Sequence, residues 1–131
     1  MAADIGWYDT DDITELASID LGAIPPGEDY FTRNGSYKLV KAKNHGDVAL
    51  ATANVEIQQV AAYAAFTYLR IANDGGTPGT PGTFQDQAAN PLTLGGLAIG
   101  AVAEVYIDAI VGALEDPATG QSANLVLLGA V

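Results

Sequence analysis

The sequence predicts an all-β sandwich. Three observations point there. Short segments alternate apolar and polar residues with the two-residue period of a strand. Gly, Pro, Asn and Asp clusters punctuate them at short intervals. No stretch carries a convincing amphipathic helical period. Six or seven strands can be counted along 131 residues, enough chain for one hydrophobic core but not for two.

Residues 1–12 read as an acidic N-terminal arm, in which Trp7 and Tyr8 sit among Asp4, Asp9, Asp11 and Asp12. The two aromatics suit either the start of a first strand or an anchor on a neighbouring subunit. Residues 13–131 are assigned to the sandwich. Alternation from Ile13 to Leu21 predicts a strand, stopped by Gly22 and Pro25-Pro26-Gly27, which cannot sit inside a ladder. Ser36 to Lys43 predicts the next, near a sheet edge or with its lysines at the rim, because Lys38, Lys41 and Lys43 are spread over both its faces. Asn44-His45-Gly46-Asp47 has turn chemistry. Val48 to Gln58 resumes the alternation. Ala61 to Ala72 is Ala-rich, but its aromatic and β-branched second half favours strand. Asp74 to Asn90 is a long Gly/Pro loop, of the kind that is usually functional in a small domain. Ala101 to Ala113 is the clearest strand. Ala103, Val105, Ile107, Ala109 and Val111 are predicted to point inward and Glu104, Tyr106 and Asp108 outward. Glu115 to Gly120 is a turn, and Ser122 to Val131 a last strand.

Composition narrows the function. Five Lys and Arg against sixteen Asp and Glu give a formal charge of −11, which repels phosphate backbones and argues against nucleic acid as a partner. With no Cys and one His, disulfides, thiolate metal sites and multi-His metal sites have no ligands, and no cofactor is expected. Charged residues make up only 16% and Ala contributes 23 residues, so the surface is weakly polar and suited to being covered by partners. Met1-Ala2-Ala3-Asp4 lacks the basic start and apolar run of a signal peptide. Gly95 to Leu114 is apolar enough to raise a membrane span. Glu104 and Asp108 would each cost roughly 2.5–3.5 kcal/mol at its centre, and no membrane association is expected.

The candidate chemistry is sparse. His45 has Ser36 and Asp47 near it in sequence, but it falls in an exposed turn rather than a cleft that would orient a general base. Asp9, Asp11, Asp12 and Glu15 resemble a calcium loop in composition only. Ile13 and Thr14 occupy positions where an EF-hand needs a ligand and a glycine. Glu104 and Asp108 stand about 13 Å apart on one strand face, too far for a glycosidase pair. Gly75 to Gly82 lacks the Lys-Ser/Thr ending of a phosphate loop. No enzymatic activity is expected. One charge pattern remains. Residues 1–29 hold eight acids and no base, while Arg33, Lys38, Lys41 and Lys43 are four of the five basic residues. The acidic arm of one copy meeting the basic strand of another would direct assembly. Trp7, Tyr8, Asp9, Asp11, Asp12, Arg33, Lys38, Lys41 and Lys43 are therefore the candidate subunit or partner contacts.

A repeated phrase adds a further signal. Leu21-Gly22-Ala23-Ile24-Pro25-Pro26-Gly27 and Leu94-Gly95-Gly96-Leu97-Ala98-Ile99-Gly100 both read L-G-x-Φ-x-x-G, a pattern suited to a corner at a strand end. Together with Lys43-Asn44-His45-Gly46-Asp47 and the opening Gly6-Trp7-Tyr8-Asp9, the chain resembles immunoglobulin-like virion proteins of tailed bacteriophages over most of residues 5–131. The absence of Cys and the terminal position of Trp7 depart from antibody-type domains. The resemblance implies an immunoglobulin-like sandwich of about seven strands and a structural role in the virion, foremost as a capsid decoration protein cementing a phage head. It implies assembly in the host cytoplasm, the major capsid protein or other virion proteins as partners, and a homo-oligomer, with a trimer as one form. A tail, baseplate or fibre component is the second reading. A carbohydrate- or cell-surface-binding module using Tyr63, Tyr68 or Tyr106 is the third.

Overall fold

The computed structural model describes residues 4–59, 67–86, 89–112 and 123–131. Among them are eight strands and one short helix: β1 (Ile5–Tyr8), α1 (Tyr30–Asn34), β2 (Lys38–Asn44), β3 (Leu50–Gln59), β4 (Thr67–Ala72), β5 (Gln85–Asp86), β6 (Leu92–Leu97), β7 (Val102–Val111) and β8 (Ala123–Ala130). They form two antiparallel sheets, one ordered β1-β2-β7-β4-β5 and the other β6-β3-β8. The fold is all-β, with eight strands where about seven are predicted. No helix among the described residues is long and apolar enough to cross a membrane.

The two sheets share one core. Val40 of β2, Ile71 of β4 and Val105 and Ile107 of β7 cluster with Val55 and Ile57 of β3 and Leu92 of β6. Each such side chain contributes about 1.5–3 kcal/mol when fully removed from water. Leu50, Ala53 and Leu97 form a smaller cluster flanked by Ile5, Ala101 and Ala103.

Several expectations are corrected. Ile13 to Leu21 is not a strand; apart from a bridge between Glu15 and Tyr8 it is irregular. The Asp11 carboxylate takes the backbone N–H groups of Ile13 and Thr14, and that of Asp20 takes Gly22. Such local turns compete with a ladder. Leu16, Ile19 and Leu21 still pack on the core, from a loop. The lysine-bearing strand β2 lies near a sheet edge as expected, but not at it: β1 pairs with its outer side, Trp7 opposite Ala42 and Tyr8 opposite Lys41. Residues 5–8, part of the segment read as an N-terminal arm, are thus the edge strand of their own sheet, which is the first of the two alternatives for Trp7 and Tyr8. Of the Ala61–Ala72 strand, the part at 67–72 is present as β4. The segments at 61–66 and 115–120 lie outside the described residues.

On β7, Val105, Ile107 and Ala109 are buried as expected, but so are the outward Tyr106 and Asp108. Other segments cover that second face. In the repeated phrase Gly22, Gly27, Gly95 and Gly100 all adopt positive φ, between 71° and 85°, a region that disfavours any Cβ. The two copies differ in setting. The first leads to α1 rather than to a strand, and the second lies partly within β6, where Gly95 coincides with a break in the β3–β6 register.

Candidate interaction surface

The outer face of the five-stranded sheet is polar by sequence, and its polar side chains hold three covering segments. The Gly/Pro loop is pinned to β7 where Gly79 N–H donates to Glu104 Oε1 at 2.7 Å; the same oxygen accepts from the Tyr106 hydroxyl at 2.9 Å. Burial, then the hydrogen bond and charge of Glu104, push that hydroxyl up to about 12. Helix α1 starts at its N-cap Asp29, whose carboxylate accepts from Thr32 N–H, and ends on Gly35 in the left-handed region. Five residues cannot sustain a helix alone. Here Phe31 N–H donates to Asp108 Oδ1 at 3.1 Å and docks the turn on the sheet.

Asp108 is the centre of this face. It is fully buried, and its Oδ2 accepts from Arg70 Nη2 at 2.8 Å and Nε at 3.1 Å. Burial pushes its carboxyl above the usual range and neighbouring Asp29 adds to that, while Arg70 and the Phe31 amide pull the other way. The hydrogen bond to Thr32 holds Asp29 below its usual range. Burial opposes the Arg70 charge, but the Asp108 hydrogen bond and charge outweigh it and raise the guanidinium. Beside this node runs an aromatic row. Phe31 and Tyr37 lie 4.4 Å apart between centroids, Tyr37 and Phe84 4.6 Å, and Arg70 Cζ stands 5.0 Å from the Phe84 centroid. Phe31 is 40% exposed at the end of the row. The tilted, stacked rings offer partly exposed apolar surface next to a cation, a surface for contact rather than for bond-making chemistry.

The third covering segment contains much of the predicted contact set, and it meets its own chain. Lys41 Nζ lies 2.9 Å from Asp12 Oδ1, and Lys43 Nζ donates to the Asp12 carbonyl at 2.9 Å while standing 5.0 Å over the Tyr8 ring. The Tyr8 hydroxyl donates to Glu15 Oε2 at 3.0 Å, and burial followed by that bond raises it. Asp9 and Asp11 shape the loop itself. Asp9 accepts from Thr10 N–H, and Asp11 accepts from Ile13 and Thr14 amides and the Thr14 hydroxyl. The Thr14 bonds foremost hold the Asp11 carboxyl down to about 2. Trp7 turns inward, packs on the main core and donates from Nε1 to the Leu125 carbonyl of β8 at 3.0 Å, joining the two sheets. Arg33 is exposed in the last turn of α1, and Lys38 lies opposite Ile107 at the start of β2. Tyr8, Asp12, Lys41 and Lys43 are therefore brought together, while Arg33 stands on α1 and Lys38 at the opposite end of β2 from Lys43.

His45 Nε2 lies 3.4 Å from Asp4 Oδ1 and 3.9 Å from Glu15 Oε2, beside the Tyr8 ring. Its neighbour Asn44 is fully buried. The Asn44 amide donates to the carbonyls of Val48 and Leu97, and its Oδ1 accepts from Gly46 N–H. Gly100 N–H donates to its backbone carbonyl. The K-N-x-G-D turn is thus tied to the second L-G phrase. Tyr106, proposed as a sugar-stacking residue, is buried with its hydroxyl on Glu104. The side chains of Tyr63 and Tyr68 lie outside the described ones. A cleft of about 500 Å³ opens between the Gly/Pro loop and β6, near Asn73, Thr83 and Thr93. Asn73 spends its amide on the Thr93 carbonyl and its oxygen on Gly75 N–H. Among the described residues no group of three or more His, Cys, Asp and Glu side chains is placed to hold a metal ion.

Sequence reasoning missed the Asp29–Asp108–Arg70 node and the aromatic row. Asp29 three residues before Thr32 and six before Gly35 is a helix start and stop signal, but the turn it brackets is too short to show a period. Comparison with protein-family models, with curated proteins and with solved structures found no match.

Proposed function

We propose that this chain is a non-enzymatic structural protein of a tailed-phage virion, a decoration protein that binds the outside of an assembled head and cements neighbouring capsomers. In this reading the two sheets are an immunoglobulin-like sandwich. The observation that carries it is the structural use of the phrases behind the resemblance. At the two recurring Gly positions of the L-G phrases, Gly22, Gly27, Gly95 and Gly100 take left-handed backbone, and buried Asn44 ties the K-N-x-G-D turn to the second phrase. A structural role also fits how the polar side chains are spent. Glu104, Asp108, Asn44 and Asp11 each hold backbone amides or carbonyls of their own chain.

Co-sedimentation of the purified protein with heads emptied of DNA tests the proposal. Saturable binding to heads is expected. Binding to tails alone moves the role to tail, baseplate or fibre. A second reading, a carbohydrate- or cell-surface-binding module, is favoured by one observation, the Phe31–Tyr37–Phe84 row beside Arg70. A glycan array that retains the wild type and loses Phe31→Ala would favour that reading.

A further inference from the structure

Among the described residues four strands end the two sheets, and three of them are protected against pairing with another chain. β5 has two residues. β1 has four, lies between Asp4 and Asp9, and is bridged at Tyr8 by Glu15. β6 is broken by register shifts against β3, with Gly95 at φ 84°. Short length, charge and bulges are the usual protections of an edge. β8 has none of them. It runs eight residues in unbroken register with β3, from Ala123 opposite Gln59 to Ala130 opposite Thr52. Residues 121–131 contain no Asp, Glu, Lys or Arg, in a chain of net charge −11.

The direction of its free backbone groups can be worked out. The Asn90 side chain takes both the N–H and the carbonyl of Ile57, on the β6 side of β3. Ile57 therefore cannot also exchange hydrogen bonds with its β8 partner Leu125. By the alternation of an antiparallel ladder, Leu125, Leu127 and Gly129 point their N–H and carbonyl groups away from β3. The Trp7 indole donating to the Leu125 carbonyl agrees. Leu127 and Gly129 keep both groups unpaired among the described residues. Between them Leu128 presents a side chain that leaves the residue 42% exposed.

We propose that β8 pairs antiparallel with β8 of a second copy about a two-fold axis at Leu128. In this register Leu127 exchanges two hydrogen bonds with Gly129 of the partner, and Gly129 two with Leu127. All four free groups of each copy are used, and the Leu125 carbonyl stays with Trp7. Leu128 faces its own mate in the closely spaced, non-hydrogen-bonded pair, and Val126 faces Ala130. The result is a continuous six-stranded sheet through an isologous interface. A second copy is the occupant because the strand is its own complement about Leu128. Two chains this acidic also approach at least electrostatic cost where neither carries charge. The pairing does not depend on the virion reading.

Cysteine cross-linking tests the register in a chain that has no cysteine of its own. Facing Cα atoms in a non-hydrogen-bonded pair lie about 4.5 Å apart, within disulfide reach. Residues 130 of the two copies are offset by roughly 13 Å in the same register. Leu128→Cys is expected to give a disulfide-linked dimer under mild oxidation and Ala130→Cys is not. Sedimentation velocity of the wild type should show a concentration-dependent dimer. Leu128→Lys, which sets two like charges against each other at an exposed position, should weaken it by at least about tenfold while the circular dichroism spectrum stays unchanged. Equal cross-linking at both positions, a dimer indifferent to Leu128→Lys, or a wild type monomeric at every accessible concentration would overturn the proposal. The last result would leave the edge to a strand of a different protein.

Discussion

Replacing Arg70 by Met removes the counter-ion of a carboxylate that has no access to water. Losing one partner of a buried ion pair costs about 3–5 kcal/mol. Two features lower that figure here. The Arg70 side chain is 37% exposed and solvent screens part of the attraction, and the Phe31 amide stays on Asp108 Oδ1. A loss of about 2–3 kcal/mol at pH 7 is expected. With a urea slope of about 1–3 kcal/mol/M, the midpoint falls by roughly 0.7–3 M. The pH dependence is diagnostic. Burial raises the folded-state pKa of Asp108, so its contribution is fully present below the usual carboxylate pKa and is lost as pH rises through the folded value. Removing Arg70 raises that value further. The gap between Arg70→Met and wild type should therefore widen from pH 4 to pH 7, and Asp108→Asn should reduce the dependence. Urea titrations at the two pH values supply the measurement. A variant within about 0.5 kcal/mol of wild type at pH 7, or a loss of equal size at both pH values, would refute the idea that Asp108 is a desolvated anchor.

Three further outcomes are expected. Asn44→Ala leaves the carbonyls of Val48 and Leu97 without their donor and should cost about 2–4 kcal/mol by thermal or urea denaturation; Asn44→Asp, which cannot donate, should be no better. Trp7→Phe keeps the ring in the core but loses the indole bond to Leu125. It should cost about 1 kcal/mol, and deletion of residues 1–8 should lower the thermal midpoint well beyond that, where a projecting arm would leave it unmoved. In a carboxyl-detected NMR titration Asp11 should titrate near 2 and Asp108 above the usual carboxylate range. Because the Asp11 value is depressed, its contribution is present above the unfolded pKa and fades as pH falls toward 2.

The strands most legible in the sequence are those whose alternation reflects one buried and one open face. β3 is of this kind, and the inner parity of β7 was readable for the same reason, whereas β8 was legible as a short apolar run, Leu125 to Leu128. The outer parity of β7 misled because what buries Tyr106 and Asp108 is a helix and a loop distant in sequence. A strand's own pattern carries no trace of them. Ile13 to Leu21 shows the converse. Leu16, Ile19 and Leu21 are core residues, but Asp11 and Asp20 turn the backbone locally and no ladder forms. In the candidate surface the opposite charges of residues 1–29 and of Arg33 to Lys43 were visible, but the chain to which each belongs in the contact was not. β1 pairs with β2 of its own chain, so Asp12 meets Lys41 and Lys43 without a neighbour. Exposed pairs of this sort are worth about 0–1 kcal/mol. Here they order a loop of their own chain, and the proposed pairing uses the uncharged edge β8 instead.

The proposed role is tested most directly by a cryo-electron microscopy reconstruction of the phage particle to which the proposal assigns this chain. Copies of the two-sheet domain are expected on the outside of the head, seated at the junctions between capsomers. A particle whose head surface lacks them, with the domain found only in the tail or absent altogether, would contradict a decoration protein.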